Sequence, residues 1–206
     1  MTSGAGLPVG VVGVGSLGYH HARILRDVAG TTMVGIFDAD RARAEAVAAE
    51  LGVRAMPSLE ALLDEAEAAI VAVPTSAHHD VAIEALRRGV HLLIEKPLAS
   101  TLEQADEIVG TADSGGLLVA TGHVERFNSA LRAAEGYISA PRFVESHRLA
   151  PFNPRGTDVA VVLDLMIHDI DLVLSLVRAP VAQVDAVGVP VLTGSVDIAN
   201  ARLRFE

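Results

Sequence analysis

The chain contains no cysteine. This excludes disulfides, thiolate nucleophiles and zinc–thiolate sites, and it accords with a reducing compartment. Runs of basic charge are also missing. Lysine and arginine total 16 against 26 acidic residues, for a formal charge of -10. A polyanion needs a basic footprint, so nucleic acid is not expected as a partner. Nor is there a long apolar run without charge. The most apolar stretch, residues 159–177, is interrupted by Asp164, His168, Asp169 and Asp171, and such a segment does not span a bilayer. The opening residues, Met1-Thr2-Ser3-Gly4-Ala5-Gly6, lack the basic and apolar regions of a secretory signal. The expectation is a soluble, cytoplasmic protein with no membrane partner.

What is present is 206 residues, 50% hydrophobic and 20% charged. That is enough for one large domain, or for one domain plus part of another, with a core that needs no covalent staples. Residues 9–14 form a nearly continuous apolar run ending in glycines, as a strand buried on both faces would. The following helix carries Leu17, Ile24, Leu25 and Val28 at spacings that predict one inward face. Strands are expected at 32–37, 68–73, 90–94 and 117–121. Between them lie helices at 41–51, closed by Gly52, at 80–88, closed by Gly89, and from Thr101 to about 112, with a short one after Ser58 as its cap. This alternation predicts an α/β fold, a doubly wound parallel sheet covered on both faces. After about Gly122 the pattern changes. A strand is expected at 143–149, a loop at 150–158, an apolar helix at 159–177 and strands at 181–189 and 198–205. The expected division is a doubly wound α/β domain, 1–122, and a second domain, 123–206.

Residues 13–18 read Gly13-Val14-Gly15-Ser16-Leu17-Gly18, between the first expected strand and helix. The first glycine permits a tight turn, the second lets the backbone approach a pyrophosphate, and the third lets helix and strand pack closely. The helix N-terminus, at Ser16, Leu17 and Gly18, then offers amides and a positive dipole end to phosphate. Asp38 ends the second strand 20 residues beyond Gly18, where an acid that binds the ribose hydroxyls is expected. An acid there repels a ribose phosphate and favours NAD over NADP, although Arg41 and Arg43 stand close by. Asp38 also suits a plain strand-end turn, and the two readings are compatible.

Glu95-Lys96-Pro97 follows the strand at 90–94, at the sheet edge where ligands of open parallel sheets bind. A lysine there can stabilise a developing alkoxide. Taken alone, the tripeptide reads first as a surface Glu-Lys pair before a helix-initiating proline, and a cis Lys96–Pro97 bond is open to it. Asp164 and His168 stand four apart, on one face of a helix. There a buried, hydrogen-bonded histidine remains the alternative to a catalytic one.

Taken together, Gly13–Gly18, Asp38, Pro74-Thr75-Ser76-Ala77-His78, Glu95-Lys96-Pro97 and the Asp164/His168 pair resemble the glucose–fructose oxidoreductase / inositol dehydrogenase (Gfo/Idh/MocA) family. The resemblance implies a Rossmann domain that holds NAD, with NADP an alternative, and a second α/β domain with an open sheet that holds a sugar, polyol or nucleotide-sugar. It implies that Lys96 touches both nicotinamide and substrate, that His168 is the catalytic histidine with Asp164 as its acid, and that Pro74, Thr75, His78 and Glu95 line the nicotinamide side. It implies no metal. Gly122-His123-Val124-Glu125-Arg126-Phe127-Asn128 is similar to the form in family members that act as UDP-N-acetylglucosamine 3-dehydrogenases, although its polar residues equally suit hydrogen bonding at the domain junction. The family's second sheet has more strands than this chain supplies, so the second domain is expected to be partial and a homo-oligomer is left open. A dinucleotide-binding sensor or partner module without turnover therefore stays beside the dehydrogenase as an alternative. A methyltransferase with the same glycine turn would leave Glu95-Lys96-Pro97 and the Asp164/His168 pair without a role.

Overall fold

The first apolar run becomes β1 (Leu7–Val12), and its helix becomes α1 (Ser16–Leu25). The computed structural model describes residues 6–151 and 160–206, and the chain divides into two units, Met1–Gly122 and His123–Glu206. In the first unit β2 (Thr31–Phe37), α2 (Arg41–Leu51), α3 (Leu59–Leu63), β3 (Ala68–Val71), α4 (Thr75–Arg87), β4 (His91–Ile94), α5 (Leu102–Gly115) and β5 (Val119–Thr121) follow in order. The strands form one parallel sheet in the order β2-β1-β3-β4-β5. Two apolar clusters cover its faces. One gathers Val9, Val11 and Ile36 with Ala22, Leu25, Ala48 and Leu51. The other gathers Val12, Val71 and Ile94 with Leu62, Ala82, Ile83 and Ile108. The strands read as apolar runs because both faces are buried.

Local chemistry sets the helix ends. The Ser58 hydroxyl accepts the Ala61 N–H at 3.1 Å, Thr101 accepts that of Gln104 at 3.3 Å, and the Asp40 carboxylate accepts that of Arg43 at 3.1 Å. Gly52 closes α2 in the left-handed conformation, as its position in sequence predicts. The inward face of α1 differs from expectation. Of the four apolar residues at helical spacing only Leu25 is buried, while Leu17 and Ile24 are 52% and 55% exposed and Val28 lies beyond the helix. The buried contacts are Gly18, Ala22 and Leu25. A helix that approaches a sheet this closely presents its smallest residues, and a search for apolar periodicity ignores them. Helix α4 starts at Thr75, five residues earlier than the expected 80.

The second unit has a 3-10 turn (Val124–Phe127), α6 (Ser129–Glu135), a π turn (Val162–Met166) that runs into α7 (Ile167–Val177), and an antiparallel pair, β6 (Val181–Val189) and β7 (Ile198–Phe205). Both strands of the pair occupy the expected ranges. The strand expected at 143–149 does not form, and Phe143 and Leu149 are 81% and 95% exposed. Alternation gives a strand its two faces but not a partner, and among the described residues of this unit β6 and β7 pair only with each other. Most of the loop expected at 150–158, and Val159, lie outside the described residues. Among the described residues no helix is long and apolar enough to cross a membrane, and no group of histidines and acids could hold a metal ion.

The connection between β6 and β7 is organised by Asp197. Its carboxylate accepts the N–H groups of Val191, Leu192 and Thr193 at 2.8, 2.7 and 2.9 Å, and the Thr193 hydroxyl at 2.9 Å. The backbone donors hold its pKa down at about 2, against an ordinary 3.8. A depressed carboxylate contributes to stability above its ordinary value and loses that contribution as pH falls through the folded one. A carboxyl-carbon titration of Asp197 should therefore have its midpoint at about 2, and Asp197→Asn should speed hydrogen exchange at amides 191–193. A midpoint near 3.8 would mean that the loop does not hold this form in solution.

Candidate functional site

In the first unit the last paired residues of the strands are Phe37, Val12, Val71, Ile94 and Thr121, in register across the sheet. The next residue of each strand is Asp38, Gly13, Ala72, Glu95 or Gly122. The register thus sets the glycine turn, the strand-end acid and the Glu95-Lys96-Pro97 turn in one row at the carboxyl edge. The chain leaves β1 toward β2 on one side and returns to β3 on the other, so the glycine turn sits at the switch point of the sheet.

At this turn Gly13 has φ +82°, and a Cβ on it would lie 2.8 Å from the backbone of Ala72 and Val73. A Cβ on Gly18 would lie 1.9 Å from the carbonyl oxygen of Gly13. These two glycines are required by the protein itself. Gly15 is different, because its Cβ would meet nothing nearer than an Arg43 guanidinium nitrogen at 3.9 Å. Ser16 and Leu17 are exposed beside it. Helix α1 has no side-chain cap, unlike α2, α3 and α5, and its first amides face outward for an anion. The cradle fits a dinucleotide pyrophosphate: tight where the protein needs packing, open where a ligand approaches.

Asp38 closes the cradle from β2. Its Oδ2 accepts the Val14 N–H at 2.7 Å and its Oδ1 accepts the Asp40 N–H at 2.9 Å. These two bonds are those of a strand-end turn, and a carboxylate has acceptor capacity beyond them. Arg43 crosses the turn and donates to the Val14 carbonyl at 3.3 Å. A cavity of about 160 Å³ opens beside Asp38, between Phe37, Arg41, Ala55, Met56 and Pro57.

Along the row, Glu95 is 7% exposed. Its Oε1 receives the His21 ring nitrogen at 2.6 Å and its Oε2 accepts the Lys96 N–H at 3.2 Å. Burial pushes this carboxyl up, but the His21 hydrogen bond and charge, with the amide and charge of Lys96, outweigh burial and hold it below the ordinary carboxylate range. Lys96 is half-buried, Pro97 is buried, and the bond between them is cis. His78 is 1% exposed, with Nδ1 2.8 Å from the Pro97 carbonyl and Nε2 3.0 Å from that of Val73. It braces the lysine turn from behind, so any effect on a nicotinamide pocket passes through that turn. Pro74 is exposed and Thr75 half-buried at the start of α4.

In the second unit Asp164 lies in the π turn and His168 in the first turn of α7, both half-buried. The wider π turn between them replaces the plain i,i+4 spacing of an α-helix, a distortion often found where a helix carries function. Asp171, one turn further on, is 8% exposed and takes the Arg126 fork at 2.7 and 2.5 Å, with His123 Nδ1 at 3.9 Å. Asp169 takes Arg148 at 3.0 and 3.2 Å and the Ser146 hydroxyl at 2.8 Å. Asn128 caps α6 through the Ala130 N–H at 3.0 Å and donates to Glu125 at 3.1 Å. The polar residues of 123–128 thus knit this segment within its own unit.

His21 stands outside every motif of the sequence, and its partner lies 74 residues away. Arg126–Asp171 and Arg148–Asp169 were missed for the same reason. The only signal for the second pair of these contacts was the charge carried by an otherwise apolar helix, which must be matched somewhere.

Residues 7–123 match the family model described as an oxidoreductase family with an NAD-binding Rossmann fold. Over 198 residues the chain is 46% identical to UDP-N-acetylglucosamine 3-dehydrogenase of Acidithiobacillus ferrooxidans, covering 96% of this chain and 63% of that protein. A solved structure of the same A. ferrooxidans enzyme has a TM-score of 0.91 and 44% identity, covering 97% of this chain and 65% of that one. The scyllo-inositol 2-dehydrogenase (NAD(+)) of Bacillus subtilis is 30% identical over 191 residues, covering 86% of this chain and 56% of that protein. The chain spans less than two thirds of the length of these relatives.

Proposed function

Because the chain belongs to the oxidoreductase family with an NAD-binding Rossmann fold, we propose that it transfers hydride between nicotinamide and a secondary hydroxyl of a sugar or nucleotide-sugar. UDP-N-acetylglucosamine is the first candidate, as the substrate named in a relative 46% identical. The observation that carries the proposal is the row at the sheet's carboxyl edge, which holds Asp38, the glycine cradle and, beyond Ala72, the Glu95-Lys96-Pro97 turn. A cytoplasmic setting suits a soluble enzyme of this kind, and its acidic balance suits a small-molecule substrate rather than nucleic acid.

Bound nicotinamide supplies the hydride acceptor. Everything else falls to the side chains. Gly13, Gly15, Ser16, Leu17 and Gly18 hold the pyrophosphate, and Asp38 holds the adenosine ribose. Pro74, Thr75 and Pro97 border the nicotinamide end, shaped by the buried His78 and Glu95. His168 takes the hydroxyl proton at a ring nitrogen and Asp164 orients and charge-balances it. Lys96 stabilises the oxygen as negative charge develops.

The test is calorimetric titration with NAD and NADP, followed by absorbance of reduced nicotinamide on adding UDP-N-acetylglucosamine. Tighter binding of NAD than of NADP, with reduction, is the expected result. Failure to bind either cofactor would overturn the proposal, whereas binding without reduction by any sugar or nucleotide-sugar would favour a dinucleotide-binding module without turnover.

A further inference from the structure

Glu95 is a buried carboxylate whose two oxygens have different tasks. Oε2 accepts the Lys96 N–H at 3.2 Å and so sets the peptide plane from which that lysine departs. Oε1 is held by the His21 ring at 2.6 Å. The side chains of the pair are only 21% and 10% exposed, so water competes poorly for either group. The third side is closed by Gly122, which donates its N–H to the Ile94 carbonyl at 2.7 Å, and where a Cβ would lie 2.9 Å from Oε2. The carboxylate therefore has little room to take another rotamer while His21 is present. His21 belongs to α1, the helix whose N-terminus forms the phosphate cradle. One hydrogen bond joins the element that holds the pyrophosphate to the turn that carries Lys96.

Lys96 is also the single lysine of the chain, among 16 basic residues. An arginine fork cannot replace a compact ammonium at a reacting oxygen, so the position of this one amine matters more than its charge. Neither the motif nor the family match assigns His21 a part in placing it.

We propose that His21 is a positioning residue: through Glu95 it fixes the Lys96 turn relative to the cofactor-cradling helix, without itself touching cofactor or substrate. The proposal rests on the dehydrogenase reading for its kinetic consequence and on geometry alone for its structural one.

The experiment compares the parent with His21→Leu, which removes the donor, and His21→Gln, whose side-chain amide restores a donor near Nε2. The first readout needs no turnover. The whole chain is treated with trinitrobenzenesulfonate, with and without NAD, and modification of Lys96 relative to the N-terminal amine is measured by peptide mass. The ratio should rise severalfold in His21→Leu and return to the parent value in His21→Gln. The second readout is NAD affinity beside turnover of UDP-N-acetylglucosamine. Misplacing a reacting group by an ångström costs on the order of 10²-fold, so kcat should fall by that order in His21→Leu, with NAD affinity within about twofold of the parent. His21→Gln should recover most of it. Equal impairment of both variants, parent-like reactivity in both, or a loss of NAD affinity matching the loss of kcat would overturn the proposal. A parent that binds NAD but turns nothing over would count against the dehydrogenase reading alone, and the amine ratio would still decide the role of His21.

Discussion

Gly18→Ala is expected to abolish NAD binding by displacing α1, whereas Gly15→Ala is expected to weaken NAD binding and leave the fold intact. The two substitutions add the same methyl group three residues apart, and the geometry separates them. A Cβ on Gly18 would lie 1.9 Å from the Gly13 carbonyl oxygen and 3.3 Å from the Ala72 side chain. Neither neighbour can yield cheaply. Gly13 is fixed by its N–H bond to the Phe37 carbonyl at 2.8 Å, and Ala72 follows a central strand of the sheet. The helix must therefore lift, taking Ala22 and Leu25 out of their cluster with Val9 and Ile36. Overpacking a filled core costs about 1–3 kcal/mol or more, and a backbone clash belongs at the upper end. Gly15→Ala meets only the flexible end of Arg43 at 3.9 Å, so its melting temperature should match the parent's. What it obstructs is the approach of a pyrophosphate to the backbone, and a tenfold loss of affinity, about 1.4 kcal/mol, is the least expected. Thermal melting and calorimetric titration of both variants decide the matter. Unchanged NAD affinity in Gly15→Ala would show that the pyrophosphate does not lie on this turn.

The same contrast explains which parts of the molecule could be read from sequence. The glycine turn was legible because three constraints coincide there: a strand before it, a helix after it and an acid at the end of the next strand. Its register neighbour Asp38, and Glu95 two strands further along the same row, stand at strand ends, which are marked by a change of chemistry along the chain. Contacts between side chains distant in sequence were not legible. His21 and Glu95 are 74 residues apart, and Arg126 and Asp171 are 45 apart, and no periodicity within either segment announces a partner. Buried small residues misled in another way. Gly18 and Ala22 form the inner face of α1, yet the apolar spacing pointed to Leu17 and Ile24. Residues 143–149 alternate as a strand should but pair with no strand among the described residues, so the pattern supplied one condition of a strand and not the other. His78 has a polar ring in a motif rich in functional residues, but its ring nitrogens both face backbone carbonyls.

Lys96→Ala and His168→Ala should each lower the rate of nicotinamide reduction by roughly 10²–10⁴-fold while leaving NAD affinity within a few-fold of the parent. The size follows from where charge appears. In the ground state a hydroxyl is neutral and needs neither a cation nor a base. During hydride loss its oxygen becomes alkoxide-like, and interactions made only then act on kcat rather than on binding. Lys96 is half-buried, with its backbone N–H held by a buried carboxylate, and an ammonium in such a setting is worth more than it would be in water. Lys96→Arg keeps the charge but spreads it over a planar fork on a longer stem, so it should resemble Lys96→Ala more than the parent. On the proposed pairing of Asp164 with His168, Asp164→Asn should lie between, since it would retain a partner of similar shape but remove the balancing charge. Single-turnover reduction, measured beside the melting temperature of each variant, separates these losses from simple destabilisation. Parent-like reduction in Lys96→Ala would remove the lysine from the chemistry. If His168→Ala also reduced the cofactor at the parent rate, the proton would have to leave through another group, and the assignment of both residues would fall together.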